Sequence, residues 1–368
     1  EHIYKEFIKL SPRIRGAAIA LDPKTGAVLA LLSLPGFNNN LFAHGISQSD
    51  YQNLITDKTL PLFDRAISGT YPPGSTVKPM VGLAALENNV VTENTTIVDR
   101  GVLVIPNQFN PAQSYNFYGW KRDGLGPMTV RSAIAQSSDI YFYTVTGGHP
   151  SSPVKGLGIA QLADYYRKFE LNKTTGLDLK GEKSGLVPDP EWKSQYYKGD
   201  AIAGKWYLGD TYHVGIGQGD MLVTPLRIAT MTALFANNGV GMRPQLLQSV
   251  VDPNGNMVKK FEPTVGIEKF ASEKNIRIVQ EGMRQTILAG SGRRLNSLPI
   301  SSAGKTGTSQ FDGSDPSRTH AWFTAYAPFE NPEIVMTILV EAGGGGDVAA
   351  VPIVNSTLQW WAENRFNK

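Results

Sequence analysis

Ser75 and Lys78 occur in the segment Gly69-Thr-Tyr-Pro-Pro-Gly-Ser-Thr-Val-Lys-Pro79 at S-x-x-K spacing. A serine hydroxyl is a weak nucleophile at neutral pH and needs a base within hydrogen-bond reach. At a helix start, positions i and i+3 share a face, so an amine at 78 can reach a hydroxyl at 75. The first-turn N–H groups and the positive helix end favour the oxyanion that develops on acylation. Lysine acts as a base only when neutral, a form made accessible by desolvation or a nearby cation. Val77, Pro79 and Met80 suit a partly desolvated amine. The tetrapeptide alone is weak evidence, because serine is also a common N-cap. Ser152-Pro-Val-Lys155 repeats the spacing, but there a helix starts only near Ile159. The Pro-Pro-Gly lead-in and the apolar helix directly behind it single out Ser75.

S-x-x-K belongs to a set completed by S-D-N, in relaxed form S-x-N, and K-T-G, and each of these has two candidates. Lys24-Thr25-Gly26 sits in an Asp-Pro-Lys-Thr-Gly hairpin turn, where Pro and Gly serve the turn. Lys305-Thr306-Gly307 lies in Ser301-Ser-Ala-Gly-Lys-Thr-Gly-Thr-Ser309, whose small residues let a substrate backbone lie along a strand edge. Lys305 with the Thr306 and Thr308 hydroxyls suits the carboxylate of a peptide C-terminus. The literal S-x-N is Ser114-Tyr115-Asn116, in a segment rich in Pro, Gln and Asn that reads as a solvated loop. Its competitor, Ser137-Ser138-Asp139, follows the helical Val130 to Gln136 and precedes Tyr141, Phe142 and Tyr143. A serine working between two lysines needs rigid support, which a packed helix end supplies, so Ser137 is preferred.

The elements that must position these groups run strands, helices, strands, helix. Arg15 to Leu21 and Ala27 to Ser33 read as a hairpin around Asp22-Pro-Lys-Thr-Gly26. A helix is predicted from Thr76 to Asn88, with more at Thr129 to Gln136, Ile159 to Phe169, Pro225 to Asn237 and Glu273 to Leu288. Strands return at Ser301 to Gln310, His320 to Tyr326 and Ile334 to Glu341, and a helix closes the chain from Val351 to Asn364. The simplest closure is an α/β (α+β) unit. The hairpin joins the late strands in one antiparallel sheet lobe, about 14–74 and 300–368. A mostly helical lobe covers about 75–299, and the active site lies between the two.

The chain has 368 residues with a net charge of +3, a near balance that argues against a nucleic-acid surface. It has no cysteine, which excludes thiolate catalysis, zinc–thiolate sites and disulfides. The five histidines, His2, His44, His149, His213 and His320, are scattered, so no metal or other cofactor is expected. Gly290-Ser291-Gly292 is too short for a G-x-S-x-G elbow, and Gly343 to Gly346 lacks the Lys-Ser/Thr of a phosphate loop. Trp322 and Phe323 read as core strand residues. No apolar run approaches the roughly 18 residues of a membrane span. With Glu1 in first place, the chain reads as a piece of a longer protein.

The motifs together resemble class B penicillin-binding proteins, the cell-wall transpeptidases. The resemblance is carried by Gly69 to Pro79, Arg15 to Gly26, Thr175-Gly-Leu-Asp-Leu179, Gly215-Ile-Gly-Gln-Gly219, Thr224-Pro225, Ala303 to Thr308 and His320-Ala-Trp-Phe323. Asn40 to Ser47 and the acidic Asp139 are most similar to the elongation, or rod-shape, group named penicillin-binding protein 2. The resemblance implies the penicillin-binding/β-lactamase-like fold, with a five-stranded antiparallel sheet flanked by helices. It implies that Ser75 attacks the penultimate D-Ala carbonyl of a peptidoglycan stem peptide while Lys78 takes the proton. Ser137 would relay a proton, and the N–H groups of Ser75 and Thr308 would form the oxyanion hole. β-Lactams would acylate the same serine. A transmembrane anchor, a non-catalytic domain and a membrane glycosyltransferase partner at the periplasmic face would complete the system. Asp139 stands where asparagine is commoner. Its charge would favour a cationic Lys305 but hinder Lys78 as a base, so its partner is an open question at this level. A β-lactamase, a β-lactam sensor and a septal transpeptidase are the competing functions.

Overall fold

The computed structural model describes all residues except 108, 109, 111, 316, 367 and 368. Its centre is a five-stranded antiparallel sheet. The strands are β1 (Gly16–Leu21), β2 (Val28–Leu34), β3 (Ala303–Gln310), β4 (Thr319–Ala327) and β5 (Ile334–Val340), in the order β3-β4-β5-β1-β2. The hairpin therefore does join the late strands, through Gly16 opposite Val340 and Leu21 opposite Val335. At the hairpin turn the Asp22 carboxylate accepts the Lys24 N–H and the Thr25 hydroxyl, each at 2.8 Å. The first K-T-G is thus a turn.

Both sheet faces are apolar, and the two-residue period of a strand decides which side chain goes where. Ala17, Ile19, Leu21, Trp322, Tyr326, Val335 and Leu339 face a core shared with the buried helix Pro225–Ala236 and the rest of the helical lobe. Ala18, Ala20, Phe323, Met336 and Ile338 face a second core closed by Gly346–Trp361, with Phe7 of the N-terminal helix His2–Leu10. A strand covered on both faces reads as a continuous apolar run, which is why the periodicity of Ile334–Val340 shows no polar side.

Several expectations are corrected. The Ser75 segment does not enter an α-helix at Thr76. Residues Gly74–Val77 form a 3-10 turn, and the α-helix runs from Lys78 to Glu87. Asp139–Gly147 is a helix that the run of aromatic and β-branched residues concealed. The middle of the chain also carries four two-stranded sheets among the described residues. Their strands are of two to five residues, too short for periodicity to register. One contains Ser114, which lies on the strand Ser114–Tyr118 rather than in a loop, because Phe117 anchors that strand on Tyr212 at 4.8 Å.

Candidate active site

The Ser75 turn is wedged between the edge strand β3 and the loop at Gly217. Gly74 donates its N–H to the Gly217 carbonyl at 2.8 Å, and the Trp322 indole donates to Pro72 O at 3.1 Å. Gly74 has φ of 54°, and a Cβ there would stand 2.6 Å from Thr308 O. A Cβ on Gly307 would likewise come within 2.8 Å of Thr76 Cγ2. The small residues of the two motifs therefore permit a close approach of strand and turn. Ser75 is half-buried and lines a cleft of about 1000 Å³.

Lys78, in the first helical turn, is fully buried rather than partly desolvated. Its Nζ reaches Asp139 Oδ1 at 2.6 Å, Ser137 O at 2.8 Å and Ser137 Oγ at 3.2 Å. The open question about Asp139 is thereby answered: its ion-pair partner is Lys78, not Lys305. Burial holds the Lys78 amine below the ordinary lysine range, while Asp139 and the more distant Asp99 push it back upward. The neutral form has two N–H donors for the Ser137 carbonyl and Asp139. Its lone pair is then left for a hydroxyl.

Ser137 closes the helix Val130–Gln136 in a left-handed conformation, φ 57° and ψ 41°. Non-glycine residues in this region carry strain that recurs at functional sites. The chain reverses there because the next helix is independently capped. Ser138 accepts the Tyr141 N–H at 3.0 Å and donates to the buried Asp99 at 2.6 Å. The second motif thus joins two helix ends. Asp139 also accepts the Trp120 N–H at 2.9 Å, which ties the loop at one cleft wall to the lysine.

The third motif lies on β3, which forms one outer edge of the sheet. In an antiparallel strand one residue's N–H and C=O point to the same side. Thr308 O accepts from the Gln218 side chain, so the backbone of Thr308 faces the free edge and the cleft. The Thr306 hydroxyl contacts the Ser291 hydroxyl, while Thr306, Gly307 and Thr308 line the cleft opposite Ser137. Lys305 is fully buried behind them. Burial, reinforced by the charge of Lys78 and opposed by Asp139, holds its amine well below the ordinary range. Ser114 and Ser152 do not line the cleft. Among the described residues no cluster of three metal-ligating side chains occurs.

The penicillin-binding protein transpeptidase domain matches residues 16–359. The chain belongs to this transpeptidase family. It is similar to the peptidoglycan D,D-transpeptidase MrdA of Haemophilus influenzae, at 35% identity over 96% of this chain and 54% of that protein. The chain thus spans about half the length of the curated relatives it matches. Among solved structures, Pseudomonas aeruginosa PBP2 in complex with WCK 5153 superposes with a TM-score of 0.83 at 34% identity, covering 99% of this chain and 74% of that one. Helicobacter pylori PBP2, solved in a complex with MreC, does so with a TM-score of 0.81 at 32% identity, covering 99% and 63%. The transpeptidase fold inferred from the motifs is the fold of this chain.

In this transpeptidase-family cleft, sequence reasoning missed the contacts of Trp120, Ser291 and Gln218. Trp120 donates its backbone N–H to Asp139 and its indole N–H to Gln136 O at 3.1 Å, contacts to later helices that no local pattern reveals. Ser291 stands in the sequence only as part of Gly290-Ser291-Gly292, which carries no catalytic pattern. Its proximity to Thr306 comes from the helix Glu273–Leu288 ending beside β3.

Proposed function

We propose that this chain catalyses D,D-transpeptidation of peptidoglycan stem peptides, of the elongation type, through an acyl-enzyme on Ser75. Lys78 takes the hydroxyl proton as Ser75 attacks the penultimate D-Ala carbonyl, and the tetrahedral oxyanion is held by the N–H groups of Ser75 and Thr308. Ser137 relays the proton to the departing D-Ala nitrogen, leaving the acyl ester. An amine from a second stem then attacks the ester, gives its proton back through Ser137 and Lys78, and regenerates Ser75. Thr306, Gly307 and Thr308 receive the terminal carboxylate and the peptide backbone along the edge of β3, with the Lys305 amine buried behind them and donating to Thr306 O at 3.1 Å. A β-lactam follows the first half of this path and stops there. The reading is supported above all by the convergence of the Ser75 turn, the Lys78–Ser137 contact and the edge of β3 on one cleft.

The catalytic unit is one domain of two lobes, 14–74 with 300–368 and 75–299. We place it at the extracytoplasmic face of the cytoplasmic membrane, carried there by an anchor and working beside a membrane glycosyltransferase. No helix among the described residues is long and apolar enough to cross a membrane. Nitrocefin tests the reaction class. One equivalent of chromophore followed by arrest is expected of a transpeptidase, while rapid multiple turnover identifies a β-lactamase. A β-lactam sensor would also arrest, but it would fail to exchange a terminal D-Ala for an added D-amino acid.

A further inference from the structure

The lead-in to Ser75 is held by a residue that no catalytic motif contains. Glu341 follows the last residue of β5, and its Oε1 accepts the Tyr71 hydroxyl at 2.8 Å and Arg65 Nε at 2.9 Å. Its Oε2 lies 3.2 Å from Arg15 Nε. Arg65 is 1% exposed and also donates to Thr59 O at 2.7 Å and Leu60 O at 3.1 Å, so the carboxylate is held in a fixed, largely buried frame. Tyr71 begins Tyr71-Pro-Pro-Gly-Ser75, and its main chain exchanges both hydrogen bonds with Val223 at 2.9 Å. Its ring meets His320 edge-on at 5.3 Å and Trp322 at 6.2 Å, and the Trp322 indole in turn holds Pro72 O. Burial and the adjacent Glu341 keep the Tyr71 phenol protonated, hence a donor.

We propose that Glu341 is a positioning residue for acylation: through the Tyr71 hydroxyl it fixes the Pro-Pro-Gly segment, and thereby where Ser75 stands against Lys78 and β3. The reasoning is geometric. Two prolines transmit a rotation at Tyr71 to Gly74 almost rigidly, because their φ angles are locked. Gly74 has no Cβ to restrict its φ, so the Tyr71 hydroxyl adds a side-chain anchor to a turn otherwise held by the Tyr71–Val223 and Gly74–Gly217 backbone bonds. A misplacement on the order of 1 Å at a reacting group can cost about a hundredfold in rate.

The inference rests on Ser75 being the nucleophile, and its test is separate from the test of that assignment. Tyr71→Phe keeps the ring and removes only the hydroxyl. Glu341→Gln keeps an acceptor but leaves Arg65 without its charge partner, so it is the variant at risk of misfolding. Penicillin acylation is resolved into a non-covalent Kd and a first-order acylation constant, beside the melting temperature. For Tyr71→Phe we expect the first-order constant to fall about 10- to 100-fold, with Kd unchanged and cooperative unfolding retained. If Glu341→Gln folds, its loss should be similar, and the double variant should lose no more than the worse single one. Wild-type acylation by Tyr71→Phe, or a loss confined to Kd or to melting temperature, overturns the proposal. Either result would leave the labelling of Ser75 intact, whereas a wild-type protein labelled elsewhere would remove the reading beneath it.

Discussion

Lys78 Nζ and Asp139 Oδ1 stand 2.6 Å apart, across a separation of 61 residues. The pair joins the helix behind Ser75 to the helix behind Ser137. A carboxylate beside a proposed general base works against it, since the charge stabilises the protonated form. Here burial outweighs it, because the amine remains below the ordinary lysine range. Asp139 instead serves as a restraint and a brake, which gives the pH dependence of the reaction a definite sign.

With Lys78 as the proposed base, acylation would require its neutral form, so the rate should rise with pH through the amine's folded-state pKa and level off above it. Asp139 raises that pKa against the effect of burial. In Asp139→Asn the opposing charge is gone, and the rising limb of the pH–rate profile should therefore move to lower pH. First-order penicillin acylation followed across the pH range checks this. A limb that stays in place or moves upward would refute the assignment of Lys78 as the titrating base.

The decoy motifs make a paired prediction. Ser137→Ala should slow acylation by about 10²-fold, the lower range for a positioned acid–base group, while Ser114→Ala and Ser152→Ala stay at the wild-type rate. Lys305→Ala should lose about 10- to 100-fold, because it removes the buried amine that stands behind the Thr306–Thr308 edge and so shifts the residues lining the cleft. Lys24→Ala should lose nothing, since Lys24 is an exposed turn residue bonded to Asn331. Labelling kinetics of the variants at fixed penicillin concentration are sufficient.

Gly74→Ala should damage both stability and reaction. The left-handed backbone alone costs about 1–2 kcal/mol for a residue with a Cβ, and the contact with Thr308 O forces strand and turn apart. A melting temperature lowered by several degrees, together with slowed acylation, is expected. Unchanged acylation would mean that the approach of turn to strand is not required.

His320 predicts how the fold responds to acid. Burial lowers its pKa to about 4, with Glu341 opposing, against an ordinary value near 6.5. Between these values the unfolded chain binds the extra proton, so the contribution of His320 is present above about pH 6.5 and lost as pH falls towards 4. Unfolding midpoints measured from pH 7 to pH 4 should fall less steeply in His320→Gln than in the wild type. An equal slope in both would contradict the burial of a neutral imidazole.

Much of this was legible from residue types. The turn chemistry of Asp22 to Gly26 separated one K-T-G from the other, and the apolar runs at both chain ends anticipated the sheet. The choice of Ser137 over Ser114 rested on helix support, and the two helix ends at 136 and 139 supply it. Long-range pairings were not legible. Nothing in the sequence connects Asp139 with Lys78 rather than Lys305, or Glu341 with Tyr71, because those contacts depend on how helices and sheet pack across many residues. The strand at Ser114 was missed because its packing partners, Tyr143 and Tyr212, belong to two later helices.

The central claim is that Ser75 is the residue acylated. Digestion of the protein after reaction with a penicillin, followed by mass mapping, tests it most directly. The account predicts one adduct, on the peptide containing Ser75, and none in Ser75→Ala. An adduct on another serine, or undiminished labelling of Ser75→Ala, would contradict it.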